Sequence, residues 1–89
     1  MLGLHSSSRF KKDLKLCQKQ GKDIELLKDV INTLRIPEPL PPKNRDHSLT
    51  GNYGFARECH IQPDWLLIYR VKDEVLYLER TGSHSDLFL

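Results

Sequence analysis

The sequence predicts an α+β sandwich in which an N-terminal helical hairpin packs on one face of a small antiparallel β-sheet. Three observations carry this reading. Residues 9–34 repeat apolar side chains at helical spacing in two segments broken at Gly21. Residues 55–81 contain three strand-like runs joined by links as short as "QPD" and "KDE". Neither half can bury its apolar surface alone, so the helices must cover the sheet. With 89 residues the chain has room for one modest core, and 1–89 is read as a single domain.

Each element follows from its residues. "LGLH" is short and apolar, as an edge strand would be. "SSS" supplies capping hydroxyls, with Ser7 or Ser8 best placed to hold the first free amides of a helix. In "RFKKDLKLCQKQ", Phe10, Leu14 and Cys17 share a helical face, and Gly21 stops the helix. Asp23 caps "IELLKDVINTL", whose Ile24, Leu27, Val30, Ile31 and Leu34 form an apolar stripe. The short turn between the two helices makes them an antiparallel hairpin. Four prolines and two glycines in "IPEPLPPKNRDHSLTGNYG" exclude regular structure, and Pro37, Pro39, Pro41 and Pro42 favour an extended path. A loop of this length in a small domain points to function.

The last third reads as an antiparallel meander. "FARECHI" alternates weakly, and "WLLIYRV" is apolar throughout, as a strand buried on both faces would be. "EVLYLERT" alternates, with Leu76 and Leu78 on one side and Val75 and Tyr77 on the other. Trp65 and Tyr69 read as core rather than as base-stacking platforms.

Composition narrows the class. A chain that is 38% hydrophobic and 29% charged is too apolar for disorder. No apolar run nears the roughly 20 residues that span a bilayer. "MLGLHSSSRFKKD" lacks the basic and apolar regions of a secretory signal, so a cytoplasmic protein without membrane contact is expected. Cys17 and Cys59 are then expected as reduced, half-buried core thiols, with a disulfide between them the less favoured alternative. Neither lies in a Cys-x-x-Cys pair, and Cys59 adjoins His60, which suits tetrahedral zinc poorly; no metal and no cofactor is expected. The net charge of +2 says little, but its distribution says more. Arg9, Lys11, Lys12, Lys15, Lys19 and Lys22 face one acid, Asp13, between residues 9 and 22. Such a stripe is either an ordinary solvated helix face or a phosphate-facing surface.

The chemistry-bearing residues sit where strands turn. The hairpin link at Gln62-Pro63 brings His60 and Asp64 to one rim. In an antiparallel meander the start of the second strand and the end of the third share that rim. Asp64 and His84 therefore converge, and the proline-rich loop can lay His47 beside them. Three imidazoles and a carboxylate suit RNA cleavage by transfer to the neighbouring 2′-hydroxyl. That reaction needs a base, an acid and positive charge for the phosphate, and requires no metal. Arg57, Arg80 or a protonated histidine could stabilise the crowded anion. Each residue also has a structural reading: His60 as a strand-end hydrogen-bonding group, His84 and Asp64 as turn residues, His47 as an idle loop residue. His5 lies near the edge strand and is assigned no role. Spacing alone does not decide.

The combination of "DHSLTG", "HIQPDW" and "RTGSH", in this order behind a basic "FKKDLKL" helix, resembles the YafQ-type toxins of the RelE/ParE superfamily. Those are toxins of bacterial type II toxin–antitoxin systems. The resemblance covers nearly the whole chain and implies a RelE-like microbial RNase fold. It implies an endoribonuclease that enters the A site of the 70S ribosome and cuts the mRNA codon there, silenced by a cognate antitoxin. The family's catalytic set falls on His47, His60, Asp64 and His84, and its C-terminal aromatic on Phe88. Family-like roles place His47 and Asp64 around the 2′-hydroxyl, His60 at the scissile phosphate and His84 as general acid. Lys11, Lys12 and Lys15 would then track ribosomal RNA phosphates, with Arg57, Arg80 and Phe88 completing the RNA-binding set. Here Leu89 follows Phe88, which changes how the terminus would meet RNA.

Two other function classes compete. A superfamily toxin could instead inhibit DNA gyrase by binding, without catalysis, because fold alone does not fix function. A plain interaction module would leave the histidines incidental. Three converging imidazoles favour the RNase, since a pure binder has no need of them.

Overall fold

The computed structural model describes residues 1–51 and 54–88. The chain runs β1 (Gly3–Ser6), α1 (Ser8–Lys19), α2 (Ile24–Arg35), a 3-10 turn (Pro42–Asn44), β2 (His47–Ser48), β3 (Arg57–Gln62), β4 (Trp65–Lys72), β5 (Val75–Gly82) and α3 (His84–Phe88). Local chemistry sets these bounds. Ser7 caps α1 by accepting from the Phe10 amide at 2.9 Å, while its hydroxyl donates to the Glu79 carbonyl at 2.7 Å. The cap thus also ties α1 to β5. Asp23 caps α2 by accepting from the Glu25 amide at 3.1 Å. Between the helices Gly21 takes φ +76°, a left-handed conformation that closes helices.

The strands form one sheet in the order β1-β5-β4-β3-β2. β3, β4 and β5 make the antiparallel meander read from the sequence. The sheet as a whole is mixed, however, because β1 pairs with β5 in parallel, from Gly3 opposite Val75 to Ser6 opposite Leu78. Parallel pairing needs a long crossover, and the two helices between β1 and the meander provide one. The proline-rich segment also departs from expectation. Pro42 opens a 3-10 turn, where its missing N–H costs nothing, and His47 and Ser48, past the last proline, pair with β3. α3 is a further helix, where the turn chemistry of Gly82 and Ser83 predicts a turn. Ser83 caps it, its hydroxyl accepting from the Asp86 amide at 3.1 Å.

Strand β4 is the centre of the molecule. Trp65 to Tyr69 are each 2% exposed or less. On the helix-covered face, Leu67, Tyr69, Cys59, Leu76 and Leu78 meet Phe10 and Cys17 of α1 and Leu27, Val30 and Leu34 of α2. On the opposite face, the apolar neighbours of Leu66 and Ile68 among the described residues are Ala56, Leu87 of α3 and the half-buried Leu49. That second face is therefore covered only in part, which leaves room for polar groups. Both cysteines are free, and both are fully buried rather than half-buried, because Cys17 and Cys59 lie inside the packed core between helices and sheet. The Trp65 indole donates to the Thr81 hydroxyl at 2.9 Å, which donates to the Leu66 carbonyl at 2.8 Å, so Trp65 belongs to the core.

One ion pair fastens α1 to the end of β5. Arg80 donates from Nε and Nη2 to the two oxygens of Asp13 at 2.7 and 3.0 Å, and the Thr81 amide adds a third bond at 3.2 Å. Both side chains are nearly buried, at 12% and 13% exposure. Breaking such a pair leaves a charge without its partner in a poor solvent. The variant Asp13→Ala is expected to lose about 3 kcal/mol of stability in urea unfolding. A loss within the ordinary surface range of about 0.5 kcal/mol would contradict this reading.

Candidate active site

The site is built on the partly covered face by strand alternation. Glu58 and His60 are two residues apart on β3, so they share a face. Their partners on β4 are Ile68 and Leu66, which lie on that same face, away from the helices. On the other side of β3, His47 of β2 stands opposite Glu58. Leu66 is paired in turn with Gly82, the last residue of β5. His60, Leu66 and Gly82 thus form one row across three strands, and α3 starts two residues later at His84. Gly82 has φ +154°, and a Cβ there would lie 3.4 Å from atoms of both Asp86 and Leu87. Glycine lets α3 fold back tightly over the sheet and set His84 at the rim.

This topology brings His60, Asp64 and His84 together, as the sequence reading expected. The His84 ring donates from Nδ1 to Asp64 Oδ1 at 2.9 Å, and the His84 backbone amide reaches the same oxygen at 3.2 Å. The His60 and His84 rings are 6.1 Å apart between centroids. Phe88, four residues after His84 on α3, places its ring 6.3 Å from the imidazole and is 46% exposed. His47 lies across β3 on the other side of Glu58. Its Nε2 is 3.6 Å from Glu58 Oε1, and His60 Nε2 is 3.8 Å from the same oxygen.

The three rings are held alike. Nδ1 of His47 meets the Arg45 carbonyl at 2.7 Å, and Nδ1 of His60 meets the Pro63 carbonyl at 3.2 Å. A carbonyl only accepts, so Nδ1 must carry the hydrogen in both. His84 points its Nδ1 at a carboxylate, with the same consequence. In each neutral ring the lone pair is then on Nε2, the nitrogen left for chemistry. Asp64 is fully exposed, yet its carboxyl is held below the usual carboxylate range. The causes are the hydrogen bond from the His84 ring first, the His84 amide next, and the charges of His84 and Lys22.

The remaining residues named from the sequence lie further out or are already engaged. Arg57 donates from Nε to Asp46 at 3.2 Å and from Nη1 to the Ser48 hydroxyl at 2.9 Å. Arg80 is the strut to Asp13. Lys11, Lys12 and Lys15 are exposed along α1. Tyr69 is a core residue whose hydroxyl donates to Asp46 at 2.6 Å; burial, then Asp46, push its ionisation upward. His5 sits on β1, at the opposite edge of the sheet from His47, against Tyr77. Leu89 lies outside the described residues.

Three features escaped the sequence reading. Glu58 is the buried carboxylate between His47 and His60, and its two-residue spacing from His60 on a strand was the available signal. Asp46 organises Arg57 and Tyr69, a long-range contact with no local signature. Beside His60, a cleft of about 500 Å³ is lined by Lys43, Asn44, Arg45 and Pro63 among others. Asn44, one of the lining residues, donates from its side-chain amide to the His60 carbonyl at 2.7 Å.

Helices on one face of a mixed five-stranded sheet, with imidazoles and carboxylates gathered on the other, define a RelE-like bacterial toxin. Residues 2–89 match the family of bacterial toxins of type II toxin–antitoxin systems described as YafQ. The mRNA interferase toxin YafQ of Escherichia coli strain K12 is 44% identical over 87 residues, covering 92% of this chain and 90% of that protein. A copper-bound mutant toxin from Helicobacter pylori superposes with a TM-score of 0.94 at 49% identity, over 99% of this chain and 100% of that one. A chain of the Escherichia coli DinJ–YafQ toxin–antitoxin complex gives 0.90 at 40% identity, over 99% and 98%. The chain belongs to the YafQ family of type II toxins.

The Asp64–His84 pair sets a pH dependence. Because its folded-state titration is lowered, Asp64 contributes stability that is fully present above the ordinary value of 3.8 and is lost as pH falls through the lowered folded value. Thermal melts of the wild type and Asp64→Asn should differ at pH 5 and converge as the pH drops below 3.8. A wild-type advantage that grows on acidification would contradict the pairing.

Proposed function

We propose that this toxin cuts mRNA presented in the A site of the 70S ribosome, by side-chain acid–base attack of a ribose 2′-hydroxyl on the adjacent phosphate. The family makes it a type II toxin, and its curated relatives make it an mRNA interferase, an endoribonuclease. The finer reading concerns how protons move and where the RNA is held. The observation that carries it is the Asp64–His84 hydrogen bond at 2.9 Å, with the His60 ring 6.1 Å away.

In this reading the 2′-hydroxyl gives its proton to an imidazole Nε2, that of His47, and the 2′-oxygen bonds to phosphorus. The bond to the 5′-oxygen breaks, and His84 delivers a proton from Nε2 to that oxygen. A 2′,3′-cyclic phosphate and a 5′-hydroxyl result, with no net gain or loss of protons. Asp64 holds the His84 ring by Nδ1 and stabilises its protonated form, so its direct partner is the acid rather than the 2′-hydroxyl. His60, protonated, sits at the scissile phosphate, where Lys43 and Arg45 at the cleft add positive charge. Phe88 offers a half-exposed ring next to His84 for a base to stack on.

Presentation by the ribosome fits the shape of the site. The catalytic groups lie on an open rim rather than in a closed pocket, so the alignment of the RNA must come from elsewhere. The exposed lysines of α1 suit ribosomal RNA phosphates, and a net charge of +2 is modest for a protein that grips bare RNA. A cognate antitoxin would cover the toxin between uses, as the related Escherichia coli toxin is found with DinJ. No helix among the described residues is long and apolar enough to cross a membrane, and a cytoplasmic site of action follows from the proposed target. Inhibition of gyrase by binding remains the competing class, and it gives the imidazoles nothing to do.

End mapping on ribosomes programmed with a defined mRNA tests this reading. The wild type should cut inside the A-site codon, leave a 2′,3′-cyclic phosphate and spare naked RNA. His84→Ala should cut ~10²–10⁴-fold more slowly while folding and binding antitoxin normally. Equal cutting of naked RNA would remove the ribosome from the mechanism, and an unimpaired His84→Ala would remove the acid. No cutting by folded protein would favour the gyrase reading, with a supercoiling assay to follow.

A further inference from the structure

The cleft beside His60 has chemistry that the acid–base reading does not use. Its volume of about 500 Å³ lies in the range that takes a small organic ligand. Lys43 and Arg45 line it, both exposed, and the lining contains no carboxylate. Walls of one sign favour an anion. Ile61 and Pro63 add apolar surface, and the exposed Gln62 adds an amide that both donates and accepts. A negative group, a flat apolar body and a polar edge are the parts of a nucleotide.

The backbone ties this cleft to the imidazoles. Arg45 ends the 3-10 turn in the left-handed region, at φ 47° and ψ 45°, where residues other than glycine are uncommon. Its amide donates to the Pro42 carbonyl at 3.1 Å, and its own carbonyl accepts from His47 Nδ1 at 2.7 Å. Arg45 therefore both lines the cleft and holds the proposed base. Asn44 makes a second link through its bond to the His60 carbonyl. At the other wall, the sheet register shifts between His60 and Gln62, an irregularity that re-aims the chain at the strand end.

We infer that the cleft is a nucleotide subsite for the mRNA residue that carries the attacking 2′-hydroxyl. Lys43 and Arg45 meet its 5′-phosphate, its base lies against Ile61 and Pro63, and the Gln62 amide reads the base edge. This rests on the proposed acid–base reading of the neighbouring site. The choice of nucleotide follows from Arg45. A residue fixed beside it brings its ribose toward His47, whereas the leaving 5′-oxygen belongs with His84, which Asp64 holds on the other side of the His60 ring. Two cations at the neighbouring phosphate still act on the scissile one, because adjacent phosphates of a strand lie within a Debye length of about 8 Å. The apolar wall accepts any base, and the side-chain amide supplies the preference.

The test is an amide NMR titration of the free wild-type toxin with inorganic phosphate and with each of the four ribonucleoside 5′-monophosphates. The nucleotides should move the amides of Lys43, Asn44, Arg45 and Gln62 saturably. The best of them should bind about tenfold more tightly than phosphate, which is about 1.4 kcal/mol from the base, and the four should differ among themselves. The double variant Lys43→Ala, Arg45→Asn should weaken phosphate and all four nucleotides together. Asparagine tolerates the left-handed conformation, so the carbonyl contact with His47 is kept. Gln62→Leu should keep the phosphate response and erase the spread among the four bases. Nucleotides that bind no more tightly than phosphate, that bind equally whatever the base, or that leave the cleft amides unmoved overturn the inference. The wild-type titration decides even if a variant fails to fold. No bond is cut in it, so its failure is separable from failure of the cleavage mechanism.

Discussion

Everything in this molecule hangs on β4, a strand hydrogen-bonded along both edges and buried on both faces. Its register with β3 puts Leu66 beside His60, and its register with β5 puts Leu66 beside Gly82. A one-residue slip would carry Glu58 and His60 into the helix-packed face and bury charge among Cys59, Leu67 and Leu78. The apolar run from Trp65 to Tyr69 forbids that slip, because every residue of it already fills one of two cores. The candidate site is thus positioned by hydrophobic packing, although its histidines and carboxylates are polar. The Arg80–Asp13 pair reinforces this by fixing the end of β5, from which α3 and His84 depart.

On that scaffold, hydrogen bonds donated by Nδ1 do the fine work. Two of the three acceptors are backbone carbonyls, of Arg45 and Pro63, and the third is the Asp64 carboxylate. Backbone acceptors aim a ring without adding charge, whereas the Asp64 carboxylate brings a charge to the ring it orients. This difference sets His84 apart from the other two rings. Glu58 faces the other two rings from the opposite nitrogen, at 3.6 and 3.8 Å.

Much of this was legible in the residues. Period-2 alternation in "EVLYLERT", the unbroken apolar run of β4 and the caps at Ser7 and Asp23 are local signals, and the structure follows them. The convergence of Asp64 with His84 followed from meander geometry, and the "RTGSH" stretch pointed to the right corner. What was not legible depends on distant partners. The parallel pairing of β1 with β5 is decided by which edge the crossover reaches. His47 and Ser48 form a strand because β3 has a free edge there, against the impression left by the prolines. Asp46 and Arg80 look alike in the sequence to any charged residue near a strand, and only folding shows that Tyr69 and Asp13 claim them. The helix at His84 had a signal, the Ser83-to-Asp86 spacing, weaker than the turn chemistry of Gly82 and Ser83.

The most direct test is the protonation pattern of the three imidazoles, read from ¹⁵N chemical shifts of histidine-labelled protein at a pH where the rings are neutral. The expected result is the same tautomer in all three: His47, His60 and His84 protonated at Nδ1, with Nε2 bearing the lone pair. If any of them carried its proton on Nε2, its Nδ1 would no longer be donating to Arg45, Pro63 or Asp64, and the arrangement of acid and base described above would be wrong at that residue.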